Sequence, residues 1–127
     1  MRDHKSLLAW QRAHEVVVLV IDGLQGSWKP SAAALFSQLQ RASLSIQLNI
    51  AEGYAYRSPR MFRRHLDIAY GSGVETTELL ELALEKNLLP PEVALLALRR
   101  SRQAQALVLG LIKRCRAKSE AKSADPL

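Results

Sequence analysis

The chain has 127 residues, a net charge of +6, and a composition that is 48% hydrophobic but only 6% aromatic. That length makes one domain with a buried core, and a core drawn mainly from Leu, Ala, Val and Ile suits packed helices better than a β-sandwich. The single cysteine, Cys115, excludes an internal disulfide and a cysteine-cluster metal site, and reads as a small apolar residue of the last helix.

The opening MRDHKSLLAW turns amphipathic at once instead of forming a leader, and the apolar run from Val16 to Ile21 is too short to span a bilayer. A reducing, cytoplasmic setting is therefore the expectation. Helix one is predicted from Leu7 to Leu24 with Ser6 as its N-cap, since Trp10, Ala13, Val17, Val20, Ile21 and Leu24 recur at helical spacing. GSWKPS interrupts it, and Ser31 is placed to cap helix two. The apolar seam of helix two is Leu35, Leu39, Ala42, Ile46, Asn49, Ile50 and Gly53, with spacings of three and four. RSP ends it: Ser58 is a good N-cap for helix three, and Pro59 fits the first helical position. The seam of helix three is Phe62, Leu66, Ala69, Gly73, Thr76, Leu80 and Ala83. NLLPPE then leads to helix four, striped by Val93, Leu96, Ala97, Ala104, Leu107, Val108, Leu111 and Ile112.

Four helices with short loops predict an all-α, antiparallel up-down-up-down bundle. Residues 1–118 are read as a single four-helix-bundle domain and residues 119–127 as a polar, flexible C-terminal tail.

No catalytic constellation stands out. His4, His14 and His65 fall at unrelated positions, the acidic third helix offers no Glu-x-x-His motif, and no phosphate-binding glycine loop is present. The expectation is a non-enzyme without cofactor or metal.

Charge is segregated along the chain. Arg57, Arg60, Arg63 and Arg64 surround the start of helix three, and residues 99–118, beginning with Arg99, Arg100 and Arg102, hold bases and no acid. Between them, Glu75, Glu78, Glu81 and Glu85 make an acidic face, either solvated or facing another subunit. Arginines at a helix start oppose the macrodipole, whereas guanidinium forks beside free amide groups suit phosphate. The cluster is thus either a nucleic-acid contact or an ordinary solvated surface with salt bridges. Tyr54 and Tyr56 beside it read first as core-edge aromatics and second as platforms for unpaired bases.

Asn49 on the apolar seam is either a satisfied core amide or, with Glu52, a polar lock on register and assembly. Gly71, Ser72 and Gly73 inside helix three permit close approach of another helix, either the Ala42–Ile46 stretch or a neighbouring subunit.

Together AWQRAHEVV, QLQRASLSIQLNIAEGYAYRSPRMFRRHLDIAYGSGVET and the Leu-rich helix that follows resemble a four-helix-bundle family. It is named after the proteins encoded by intervening sequences in bacterial 23S ribosomal RNA genes. The resemblance covers roughly residues 7 to 115 and is most specific at Ser45-Ile46, Asn49 to Gly53, Phe62, Leu66, Ala69, Gly71-Ser72 and Glu75. Tyr70 and Gly73 depart from the family's pattern. The resemblance implies a ring-like homopentamer and kinship with the accessory proteins of diversity-generating retroelements, which form basic barrels that bind nucleic acid and a reverse transcriptase. Residues and resemblance lead to one expectation: a non-enzymatic, oligomeric protein that binds nucleic acid, structured RNA first. The alternative is a scaffold for an acidic partner or a reverse transcriptase.

Overall fold

The three-four apolar spacing closes into helices nearly everywhere it occurs. A computed structural model describes residues 3–124, with side chains through Ala121. Among these residues there are four α-helices: α1 (Leu8–Ser27), α2 (Ala33–Ala55), α3 (Pro59–Glu85) and α4 (Pro91–Ala124). Two 3₁₀ turns, His4–Ser6 and Pro30–Ala32, precede α1 and α2.

The predicted caps hold at one start and fail at two. Ser58 Oγ accepts the Met61 N–H at 3.4 Å, with Pro59 opening α3. Ser6 does not cap α1; it closes a 3₁₀ turn whose cap is Asp3, through the Lys5 N–H at 3.0 Å. Ser31 does not cap α2, because Pro30 starts a 3₁₀ turn that carries Ser31 inside it and delays the α-helix to Ala33. At its other end α1 outruns the predicted stop at Leu24 and winds through Gly26 to Ser27 before the Trp28 N–H closes on the Leu24 carbonyl. Helix α4 likewise continues beyond residue 118 to Ala124, since SEAKSA contains no helix breaker. Residues 125–127 lie outside the described residues.

The α3–α4 connection is a Schellman turn. Asn87 takes the left-handed conformation (φ 53°), its N–H meets the Leu84 carbonyl, and the Leu88 N–H reaches the Ala83 carbonyl at 2.8 Å. Glycine adopts this conformation without steric penalty, whereas alanine pays about 1–2 kcal/mol for it. Asn87→Gly is therefore expected to hold or raise the melting temperature and Asn87→Ala to lower it, read by thermal circular dichroism.

The core lies in two halves. One gathers Val16 and Val20 of α1, Phe36 and Leu39 of α2, Leu80 and Ala83 of α3, and Ala94 and Ala97 of α4. The other gathers Ala13, then Ile46 and Ile50, Leu66, Val108 and Ile112. Each fully buried aliphatic or aromatic side chain contributes roughly 1.5–3 kcal/mol by leaving water. Between the halves runs a belt of small polar groups. Ser43, Thr76 and Ser101 are buried, and each bonds locally or across helices: Ser43 to the Gln40 carbonyl, Thr76 to the Ser72 carbonyl, Ser101 to Thr77. Buried hydroxyls satisfied in this way avoid the penalty of an orphaned polar group.

Candidate nucleic-acid interface

The second core half sits beneath the α2–α3 turn, and that turn positions the arginines. Helix α2 stops when Tyr56 turns extended and its N–H bonds the Gly53 carbonyl at 3.2 Å. Arg57 and Ser58 carry the chain round, and α3 begins at Pro59. The two helices touch closely here. A Cβ on Gly53 would stand 2.6 Å from the His65 Cβ and 3.1 Å from a Phe62 ring carbon, so glycine is what lets α2 approach α3.

A polar seam stitches the same two helices. Asn49 Nδ2 donates to the Ser45 carbonyl at 2.9 Å, which leaves its Oδ1 to accept from His65 Nδ1 at 3.1 Å. That pairing puts a proton on His65 Nδ1. Ser45 and Ser72 hydroxyls share a hydrogen bond of 2.7 Å, and Gln38 donates to Glu75. Asn49 is half-buried with its partners on Ser45 and His65, while Glu52 is exposed. Of the small residues on α3, Ser72 meets α2, and Gly73 is buried against Gln105 of α4. Beyond its own helix turn, no described residue comes within 4 Å of the space a Cβ on Gly71 would occupy.

The arginines divide by environment. Arg57, Arg60 and Arg64 are exposed and Arg63 is half-buried at the start of α3. No acid lies in the first turn of that helix. Arg99, Arg100 and Arg102 are placed elsewhere. Arg100 Nε pairs with Glu15 at 2.5 Å, Arg102 with Glu81 at 3.1 Å, and Arg99 is exposed beside an open groove with Leu95 and Leu98. At 1.5 Å per residue, Arg102 lies about 18 Å along α4 from Arg114. The cations that α4 does bring to the α3 start are Arg114 and Lys118.

These meet at a cavity of about 410 Å³ at this end of the bundle. Arg57, Arg114 and Lys118 supply its charge, and among the described residues no carboxylate lines it. Phe62 and Leu111 form part of its apolar wall, with Leu7 from the N-terminal segment and Cys115 from α4. Burial pushes the Cys115 thiol above its ordinary pKa, against the lowering pull of Lys118 and Arg63. Tyr54 packs edge-on against Phe62 (5.5 Å), and Tyr56 stacks on His65 (5.4 Å, 15° between planes). Tyr54 packs against the rim of the core as expected, whereas Tyr56 is exposed over His65 and does not join the core; both line the cavity.

Sequence reading singled out Arg57, Tyr54 and Tyr56 but passed over Arg114, Lys118 and Cys115 as site residues. The available signal was the basic run at the end of α4. Short loops between long helices bring such an end beside the start of α3. Among the described residues, no three His, Cys, Asp or Glu side chains come together as a metal site, and no helix is long and apolar enough to cross a membrane.

The model of the 23S rRNA-intervening sequence protein family matches residues 5–110. No curated protein matches the chain.

Proposed function

The chain belongs to the 23S rRNA-intervening sequence protein family, and from that membership we propose that it is a non-enzymatic, oligomeric protein that binds structured RNA through the basic end of its bundle. The observation that carries this reading is Arg57, Arg60, Arg63 and Arg64 massed at a helix start with no acid in the first turn. Local electrostatics disfavours cations there, whereas phosphate oxygens would be met by guanidinium forks and helix amides together. Contacts of this kind neutralise backbone charge and read shape more than base identity.

The bundle is read as antiparallel, up-down-up-down. Support comes from the core: the start of α1 (Ala9, Ala13) shares a cluster with the end of α4 (Ile112, Cys115), and the end of α1 shares one with the start of α4. The oligomer is read as a ring. Leu44, Leu48 and Ile68 leave 37%, 58% and 49% of their surfaces exposed along the outer edge of the α2–α3 seam, where Gly71 also lies open. Exposed apolar groups beside an acidic α3 and a basic bundle end favour head-to-tail contacts, which close when the rotation permits.

Two measurements test this. Light scattering after size exclusion is expected to give several times the 14.2 kDa of one chain, and a monomer at micromolar concentration would overturn the ring. Titration of a structured ribosomal RNA fragment is expected to show affinity falling linearly in a log–log plot against salt. Absence of binding at low salt would move the basic surface to an acidic partner protein.

A further inference from the structure

The cavity at the basic end differs from the surface around it, because it is concave, apolar at its floor and cationic at its mouth. We propose that it receives one unpaired nucleotide of a single-stranded RNA segment, with the base against Tyr56 and Phe62 and the phosphate between Arg57, Arg114 and Lys118. This deepens the RNA-binding reading and rests on it.

Size comes first. About 410 Å³ falls within the range of sites that enclose a small ligand, and is too little for a base pair with its two backbones. Chemistry comes second. A nucleotide is a flat apolar plate joined to an anion, and the cavity offers the matching halves. One face of Tyr56 already rests on His65, yet 42% of the residue is exposed, which leaves ring surface for a base. Stacking on aromatics tolerates any base, because every base has a π-face. Three cations, with no carboxylate among the described lining residues, supply the anion's partners. Continuity comes third. A smaller cleft of about 200 Å³, lined by His4, Ala51 and Ala55, adjoins the cavity through Tyr54 and Arg57. A strand leaving the cavity has a groove to follow past Arg57. Double-stranded RNA, whose bases are stacked away inside the helix, can offer only its phosphates here.

Cys115 makes the site readable, since it is the one cysteine of the chain and lies on the cavity wall. The residue is only 5% exposed, so its modification by the small reagent methyl methanethiolsulfonate, followed by intact mass at pH 8.5, is compared with the global unfolding rate. Reaction faster than unfolding passes through the cavity and reports occupancy, whereas a thiol that reacts only on unfolding would overturn an open cavity. With single-stranded oligoadenylate at about ten times its Kd, modification should slow about tenfold, because only the unoccupied fraction reacts. A fully paired, blunt-ended RNA duplex at the same multiple of its own Kd should slow modification less than oligoadenylate, because it can lay phosphates across the mouth but places no base in the cavity. Adenosine 5′-monophosphate should protect more than adenosine or inorganic phosphate alone. Arg57→Gln and Arg114→Gln alter exposed side chains, so the fold should persist, and each should bring protection by the monophosphate down to that by adenosine.

Structured RNA that binds without any strand protecting Cys115 would overturn the cavity proposal and leave the RNA-binding reading standing. Protection by oligoadenylate in a protein with no salt-dependent affinity for structured RNA would support the cavity and remove the wider basic surface. Protection by the free monophosphate but not by the oligonucleotide would overturn the single-strand assignment.

Discussion

Gly53→Ala is expected to destabilise the protein by about 1–3 kcal/mol, the usual range for forcing an extra methyl into a packed interior. The added Cβ would come within 2.6 Å of the His65 Cβ. That atom is anchored directly to the α3 backbone, so rotation of a side chain cannot relieve the clash and the helices must separate. Separation would stretch the Asn49–His65 hydrogen bond, now 3.1 Å, and disturb the stacking of His65 on Tyr56. Against this stands the better helix propensity of alanine, roughly 1 kcal/mol. Gly71→Ala is the matched control, because beyond its own helix turn no described residue lies within 4 Å of the added Cβ. There the propensity gain should appear alone, as equal or greater stability of the single chain. Urea denaturation of both variants decides the matter, through a lower midpoint for Gly53→Ala and an equal or higher one for Gly71→Ala. Similar midpoints would mean that the α2–α3 approach at Gly53 is not tight. A Gly71→Ala protein that folds well but shifts to smaller species in size exclusion would place a neighbouring subunit against Gly71.

Replacing Arg60, Arg63 and Arg64 together with glutamine should separate binding from folding. These cations sit near the positive end of the α3 dipole, where each is unfavourable by about 0.3–1 kcal/mol at low salt, less as salt screens it. The triple variant should thus melt at the same temperature as the parent or slightly above. Its affinity for a structured ribosomal RNA fragment should fall, and the salt slope should flatten by about 0.7–0.9 for each phosphate that is no longer neutralised. The fall should be similar for RNAs of different sequence, since backbone contacts carry little base information. In a ring every subunit presents the same patch, so the effect would be multiplied across simultaneous contacts. Equal affinities and equal slopes for parent and variant would mean that the cluster does not touch nucleic acid.

Helix α3 was legible in full from its spacing. All seven residues of its predicted seam, Phe62 to Ala83, are among its buried residues, and its Ser58–Pro59 start is as the sequence predicts. The reason is physical: a repeat of threes and fours keeps one stripe of an α-helix facing the core, whatever the neighbours. On α2 the same logic chose Leu35, yet the side chain that fills the core is Phe36, 2% exposed, with Leu35 half-buried beside it. Both lie near the edge of the stripe, and only the position of the facing helices selects between them. Three glycines looked alike along the chain, and the tertiary structure made them different. Gly53 meets the backbone-anchored Cβ of His65, Gly73 meets the flexible side chain of Gln105, and Gly71 meets open space. Charge followed the same division. The basic character of residues 57–64 and 99–118 was plain in the sequence, but which cations find carboxylates was not. Arg100 lies against Glu15 of α1 and Arg102 against Glu81 of α3, whereas Arg114 and Lys118 reach the α2–α3 turn. On α4 the stripe was half right: Ala97, Ala104, Val108 and Ile112 are buried, whereas Val93, Leu96, Leu107 and Leu111 are half-buried beside the buried Ala94, Leu98, Ser101 and Cys115. Sequence by itself determined that four helices form, the buried face of α3 and the sign of each segment, because these depend on residues within a few turns of one another. The polar belt, the ion pairs and the cavity were decided by tertiary structure alone, because each depends on which residue of one helix stands opposite which residue of the next.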